Sequence, residues 1–240
     1  MNILITGANR GIGLGLVQRY LEEHDVKRIF AAVRKPAEAK AIHDLNDNRI
    51  VLIEYDVLDD KKIETAAEWL KAELKDEGLH ILINNAGIAL SDNVHIEDPS
   101  REAILKTFDT NLCGVVMTTT ALLPLLQKAA SSETPAKIIN MSSGHASIEL
   151  TTNTWASGRF AYGASKAAVN HYSKQLSTTK AVENIIVIAL RPGHVATDMN
   201  GHDGNLKVPE ATHDIVNMVS GLRIEDSGKF LDRFGKIQSY

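Results

Sequence analysis

Cysteine is nearly missing from this sequence: Cys113 is the one such residue in 240. A single thiol excludes an intrachain disulfide and a cysteine-rich zinc site. Proline is scarce as well, at six residues, and apart from the Gly201–Pro209 loop it is scattered, so no linker divides the chain. No solidly apolar, uncharged run approaches the roughly 18 residues of a membrane span. No basic block stands out, and 26 Lys and Arg against 30 Asp and Glu leave a net charge of −4. Nucleic acid and anionic membrane are therefore disfavoured as partners. Residues Met1 to Gly7 show no charged segment leading into an apolar stretch. A cytoplasmic protein is expected, with the Asn140-Met141-Ser142 sequon idle.

What is present is the balance of an ordinary globular protein, 44% hydrophobic and 23% charged. Short apolar runs alternate with longer amphipathic ones. Asn2–Thr6, Arg28–Val33, Ile50–Tyr55, Leu79–Asn84, Lys137–Met141, Ile185–Leu190 and Lys229–Leu231 read as strands, mostly solid Ile, Val, Leu and Ala, as in a sheet covered on both faces. Between them, Ile12, Leu16, Val17, Tyr20 and Leu21 form one helical stripe, and Lys61–Lys75 carries Ile63, Ala66, Ala67, Leu70 and Leu74 on one face. Ser100–Lys128 predicts a long helix kinked at Pro124, Tyr162–Val182 another, and Ile215–Leu222 a shorter one. This alternation implies an α/β fold, a doubly wound parallel β-sheet of about seven strands with helices on both faces, in one domain over 1–240.

The first strand runs into Thr6-Gly7-Ala8-Asn9-Arg10-Gly11-Ile12-Gly13 and then a helix. A glycine-rich turn at that junction is an anion cradle: Gly7 allows the tight turn, and Gly11 and Gly13 remove Cβ atoms from the path of a pyrophosphate. The spacing lacks the Gly-Lys-Ser/Thr of a P-loop. A dinucleotide site selective for NAD places an acid about 20 residues on, to bind the ribose 2′-OH. Here Val33 is followed by Arg34 and Lys35, and Arg10 sits inside the turn. Two converging guanidinium groups suit a 2′-phosphate, which points to NADP(H).

Tyr162 and Lys166 are four apart on a predicted helix and so share a face. A phenol, with a pKa of about 10, is a poor acid or base near neutrality; an ammonium held nearby lowers that value. Tyr162 could then protonate a carbonyl oxygen as hydride arrives, or reverse the step. Ser143, at a strand end, could bond the same oxygen. Ser143, Asn84-Asn85-Ala86-Gly87 and Arg191-Pro192-Gly193 all fall at carboxyl ends of predicted strands, where parallel sheets bind ligands.

In order, Thr6-Gly7-x-x-x-Gly11-x-Gly13, Asn84-Asn85-Ala86-Gly87, Asn111, Ser143, Tyr162-x-x-x-Lys166 and Pro192-Gly193-x-x-x-Thr197 resemble the short-chain dehydrogenases/reductases across essentially the whole chain. The closing Gly228-Lys229-Phe230-Leu231-Asp232 and Gly235-Lys236-Ile237 look like sniffer-like and C-factor-like carbonyl reductases. The resemblance implies a Rossmann-like fold and an NADPH-dependent reduction of an aldehyde or ketone. Tyr162 would be the acid/base, Lys166 would tune it and bind the nicotinamide ribose, Ser143 rather than Ser142 would polarise the carbonyl, and Asn111 would hold a water leading to Lys166. Gly7, Asn9, Arg10, Gly11, Ile12, Gly13 and Arg34 would bind the cofactor's phosphates. Asp56 and Val57 would meet the adenine, Asn85, Ala86 and Gly87 would pass under the cofactor, and Pro192, Gly193, Val195 and Thr197 would reach the carboxamide end. An alternative to Asn111's role is an Asn that caps or bends a helix.

One departure is the spacing of 19 residues between Ser143 and Tyr162, longer than in many family members. The extra residues, within Gly144–Arg159 and including Trp155, would overhang the site or obstruct a helix-to-helix subunit contact. Substrate loops are expected at 144–160 and 199–215, with Trp155, Met199, Leu206 and Val208 giving the pocket an apolar lean. The partner is a small carbonyl or alcohol, and a homodimer or homotetramer stays open. The nine histidines show no metal spacing, although His145 and His194 fall near the cleft. Cys113 is expected in the core of its helix. Ser143 lacks the G-x-S-x-G setting of a hydrolase nucleophile. Two other readings remain: alcohol oxidation with NADP⁺ on the same residues, and an NADP(H)-binding sensor or scaffold without catalysis.

Overall fold

The computed structural model describes residues 1–90, 96–151 and 159–240. In chain order it forms β1 (Asn2–Thr6), α1 (Gly11–Leu21), β2 (Arg28–Val33), a single turn α2 (Lys40–His43), β3 (Ile50–Glu54), α3 (Asp60–Leu74), β4 (Ile81–Asn84), α4 (Arg101–Phe108), α5 (Gly114–Ala129), β5 (Ala136–Met141), α6 (Phe160–Leu176), β6 (Ile185–Arg191), α7 (Val208–Ser220) and β7 (Phe230–Asp232). The seven strands pair in the order β3-β2-β1-β4-β5-β6-β7, every pairing parallel. The chain starts at the centre, winds outward to β3, then crosses back to β4. The strand ends around that reversal between β1 and β4 form the crevice where such sheets bind ligands.

Period-two alternation sorts the apolar residues onto the two faces. Ile3, Ile5, Ile29, Ile81 and Ile83 pack on one side with Leu16, Val17 and Tyr20 of α1 and Ile215, Val216 and Val219 of α7. Leu4, Phe30, Leu82 and Ile138 pack on the other with Ile63, Leu70 and Leu74 of α3 and Leu122, Leu125 and Leu126 of α5. Polar caps start two of these helices: Asp59 accepts the Lys62 N–H before α3, and Ser100 accepts the Ala103 N–H before α4.

Three helical expectations need correction. The long 100–128 element deviates at a π-helical segment, Asp109–Cys113, while Pro124 lies within α5. Arg101–Ala129 is, by length and composition, able to cross a membrane, but Thr118, Thr119, Leu122, Leu125 and Leu126 are buried in the fold. The helix expected to reach Val182 stops at Leu176, because the hydroxyls of Ser177, Thr178 and Thr179 turn back onto the carbonyls of Lys174, Gln175 and Leu176. α7 starts early, with Pro209 in its first turn, so the 199–215 loop is helical from Val208 on.

Candidate active site

Beyond Thr6 the chain turns through Gly7 (φ +65°) and Gly11 (φ +52°), conformations glycine adopts without strain. The turn is held by the segment after β4. Thr6 Oγ1 accepts the N–H groups of Asn85 and Ala86, each at 3.0 Å. Asn85 Nδ2 donates to the carbonyls of Thr6 (2.9 Å) and Gly7 (3.3 Å). The Asn85 side chain thus shapes the loop. A Cβ on Gly13 would lie 2.2 Å from the Gly7 carbonyl oxygen, so its clearance is required by the loop itself, a demand the sequence reading did not include. Gly15, missed from the sequence, makes the equivalent clearance for α7: a Cβ there would come within 2.4 Å of Val208 Cγ1. α1 has no side-chain cap and no acid in its first turn. Its free N–H groups and positive dipole end are therefore left for an anion.

The cations around this turn are engaged unequally. Arg10 pairs with Asp198 at 3.2 Å and Lys35 with Glu38 at 2.8 Å. Arg34, just past β2, is exposed and forms no ion pair among the described residues. Of the two arginines expected to converge, Arg10 thus has a surface ion pair with Asp198. Asn9 and Ile12 complete the turn. Asp56 accepts the Leu58 N–H at 3.1 Å, and Val57 is pressed against Gly114, where a Cβ would approach to 2.8 Å. Pro192 and Gly193 (φ +97°) follow β6. Val195 is buried with Leu206 and Ala211. Thr197 donates its N–H to Asn200 Oδ1 at 3.0 Å, and its methyl carbon would meet a Gly11 Cβ at 3.4 Å.

The hydroxyl and amine groups gather at the carboxyl end of β5. Ser142, at 3% exposure, donates to Asn170 Oδ1 at 2.6 Å. The Ser143 hydroxyl instead shares a hydrogen bond with Tyr162 and accepts the His145 N–H at 3.2 Å. Geometry thereby separates the two serines. Lys166 is 4% exposed, donates to the Met141 carbonyl at 2.7 Å, and lies 5.9 Å from the Tyr162 ring centroid. Burial draws its pKa down to about 8. Burial also raises the Tyr162 phenol above its ordinary value; the Ser143 bond and the Arg159 charge oppose that shift without cancelling it. The sequence reading had the ammonium lowering the phenol, but in the structure that ammonium is committed to a carbonyl.

Asn111 is fully buried. Its Oδ1 accepts the Ile88 N–H at 2.8 Å, and its Nδ2 donates to the Ile88 carbonyl (2.9 Å) and to Ser165 Oγ (3.0 Å). It sits in the π-helical segment, so the helix-bending reading and the site reading fall on the same residue. Gly87 lies between these groups: a Cβ there would be 3.1 Å from Asn111 Oδ1 and 3.4 Å from Lys166 Nζ. Beneath the site runs a buried polar line that the sequence did not reveal, with Asn84 donating to Asn140 (2.8 Å) and Asn140 to Ser173 (2.9 Å).

Several pocket expectations change. Leu206 and Val208 pack into the body of the protein with Val195, Ala211 and Ile12, while Met199 is exposed. Cys113 is exposed, not core, because the π-helical segment rotates it outward. His145 sets its ring edge-on to Tyr162 at 6.0 Å; His194 is exposed. Trp155, with the rest of 152–158, lies outside the described residues.

A parallel sheet with an uncapped glycine turn after β1 and a Ser-Tyr-Lys cluster at the strand ends defines a nucleotide-dependent oxidoreductase. The chain belongs to the short chain dehydrogenase family, which it matches over residues 1–205. It is accordingly an NAD(P)-dependent oxidoreductase acting on C=O and CH–OH groups. It is 32% identical over 251 residues to the short chain dehydrogenase gsfK of Penicillium aethiopicum, covering 97% of this chain and 96% of that one. The crystal structure of NADPH-bound carbonyl reductase from chicken fatty liver superposes with a TM-score of 0.93 at 34% identity, covering 100% and 98% of the two chains. Carbonyl reductase Sniffer of D. melanogaster does so with a TM-score of 0.94 at 36% identity, covering 100% and 99%.

Proposed function

We propose that this protein is an NADPH-dependent carbonyl reductase acting on a small aldehyde or ketone. The observation that carries the reading is the Ser143–Tyr162 hydroxyl pair beside the buried Lys166, at the strand ends. The likeness to two carbonyl reductases, one carrying NADPH, supports it. The residues fit the cofactor: the α1 turn offers uncapped N–H groups to a pyrophosphate, Arg34 offers a 2′-phosphate a guanidinium with no ion pair among the described residues, and Gly87 keeps the surface above Lys166 and Asn111 free of a side chain. When bound, the nicotinamide supplies the hydride.

The chain's own groups manage the proton. Ser143 and Tyr162 would converge on the carbonyl oxygen, Ser143 bonding it while Tyr162 donates. Because the Tyr162 phenol is held above its ordinary value, it stays protonated through neutral pH, the state a donor needs. Alcohol oxidation would run through the same residues in reverse, with Tyr162 accepting the proton. Lys166 would bind ribose hydroxyls and help restore the proton, with Asn111 fixing the segment above it. The intact hydroxyl–amine cluster speaks against a sensor or scaffold without turnover.

The test is NADPH consumption across a panel of aldehydes and ketones. Tyr162→Phe should keep NADPH binding and lose turnover by roughly 10²- to 10⁴-fold. Undiminished turnover in that variant would overturn the mechanism.

A further inference from the structure

α6 meets the sheet differently from its neighbours. α1, α3 and α7 face it chiefly with apolar side chains: Leu16 and Val17, Ile63, Leu70 and Leu74, and Ile215, Val216 and Val219. The buried face of α6 instead includes Gly163, Lys166, Asn170 and Ser173, at i, i+3, i+7 and i+10, one continuous stripe. Each makes a specific contact with β5 or the turn that follows it. A Cβ on Gly163 would lie 2.7 Å from the His145 carbonyl oxygen. Lys166 donates to the Met141 carbonyl. Asn170 Oδ1 accepts the Ser142 hydroxyl at 2.6 Å. Ser173 Oγ accepts from Asn140 Nδ2 at 2.9 Å while donating to its own helix at the Val169 carbonyl.

Burying these groups adds little stability. An amide withdrawn from water costs free energy that its hydrogen bond roughly offsets, whereas a leucine in the same place would add apolar burial. What the polar ties add is register. Apolar contact is non-directional and lets a helix slide along a sheet, while a hydrogen bond keeps its two atoms within a narrow range of distance and angle. The register of α6 against β5 decides how Tyr162 meets Ser143, because the first rides on the helix and the second follows the strand. Ser142 is one peptide from Ser143, and Asn170 is one turn beyond Lys166. Their bond therefore joins the two backbones that carry the reacting hydroxyls. Proton transfer requires such groups within roughly 2.6–3.2 Å of the oxygen they serve.

We propose that Asn170 is a positioning residue: through Ser142 it fixes α6 on β5 so that Tyr162 and Ser143 reach one carbonyl oxygen together. This rests on the carbonyl-reductase reading and deepens it. The test compares Ser142→Ala, Asn170→Leu and the double variant Ser142→Ala/Asn170→Leu by kcat, KM, NADPH affinity and urea stability. Ser142→Ala takes the Ser142 donor from a buried acceptor and should be less stable than wild type. The double variant removes both partners and should regain that stability. Activity should not follow stability. All three variants should lose kcat by roughly tenfold or more with NADPH affinity unchanged, and the double variant should stay as slow as the singles, since each removes the same tie. A kcat that recovers with stability in the double variant shows packing alone and overturns the proposal, as does an unchanged kcat in all three; both leave the carbonyl-reductase reading standing. A wild type that reduces no carbonyl overturns that reading instead. Crystal structures then decide the positioning: a Ser143–Tyr162 hydrogen bond lost in the double variant upholds it, and one kept overturns it.

Discussion

Lys166 is the residue whose environment departs furthest from what its neighbours in the chain suggest. Its ammonium is buried against one carbonyl, with no carboxylate bonded to it among the described residues, so the folded protein binds that proton less tightly than the unfolded chain does. Between a folded pKa of about 8 and the ordinary 10.5, the unfolded state holds more protons and stability rises with pH. Below about 8 both states are protonated and the full penalty is present, at most ~3 kcal/mol. Urea unfolding of the cofactor-free protein between about pH 7.5 and 8.8, before the phenols of the unfolded chain (pKa about 10) ionise appreciably, should show ΔG rising with pH, and Lys166→Met should reduce that slope. A wild type with no slope would mean the ammonium is solvated. The Tyr162–Lys166 spacing was legible in the sequence, because i and i+4 are neighbours on any helix. The Met141 carbonyl was not, since it comes from a strand 25 residues away and only tertiary packing brings it near.

Among the elements, the solid Ile/Val/Leu strands were legible because a sheet buried on both faces leaves no room for polar residues. The helix ends were harder to read: those after Leu176 and within 109–113 depend on hydroxyl-to-carbonyl bonds and on the demands of Asn111, neither of which disturbs apolar periodicity. The glycines show the same limit. Gly13 was read as space for a ligand, and the demand of the Gly7 carbonyl on that space was not visible. Gly13→Ala should therefore destabilise the protein by the upper end of roughly 1–3 kcal/mol, because backbone would have to move. Gly201→Ala is the control. It has a φ of +62° but nothing within 4 Å of the new Cβ, so only backbone strain of roughly 1–2 kcal/mol opposes it. Thermal melts of the two variants should rank them in that order.

At the scale of the molecule, the doubly wound topology was legible from alternation alone, and it located the crevice because the strand order reverses between β1 and β4. Charge pairing was not legible, which is why Arg10 was expected free and is found on Asp198. If Arg34 carries selectivity, NADPH at 100 times its Kd should stabilise the whole fold by about 2.7 kcal/mol. NADH at equal concentration should give less, and Arg34→Ala should erase the difference in melting temperature. A preference that survives in Arg34→Ala would move selectivity to Arg10.

The clamp of Asn85 on Thr6 and Gly7 spans 79 and 78 positions of sequence. The first helix and its turn emerge early in synthesis, but the turn lacks its brace until β4 has docked beside β1. The growing chain therefore passes through a period in which the whole glycine motif exists and the nucleotide finds no shaped site. In refolding, the quench of protein fluorescence by NADPH should lag the gain of helix, and dinucleotide binding then serves as a clock for completion of the sheet's centre.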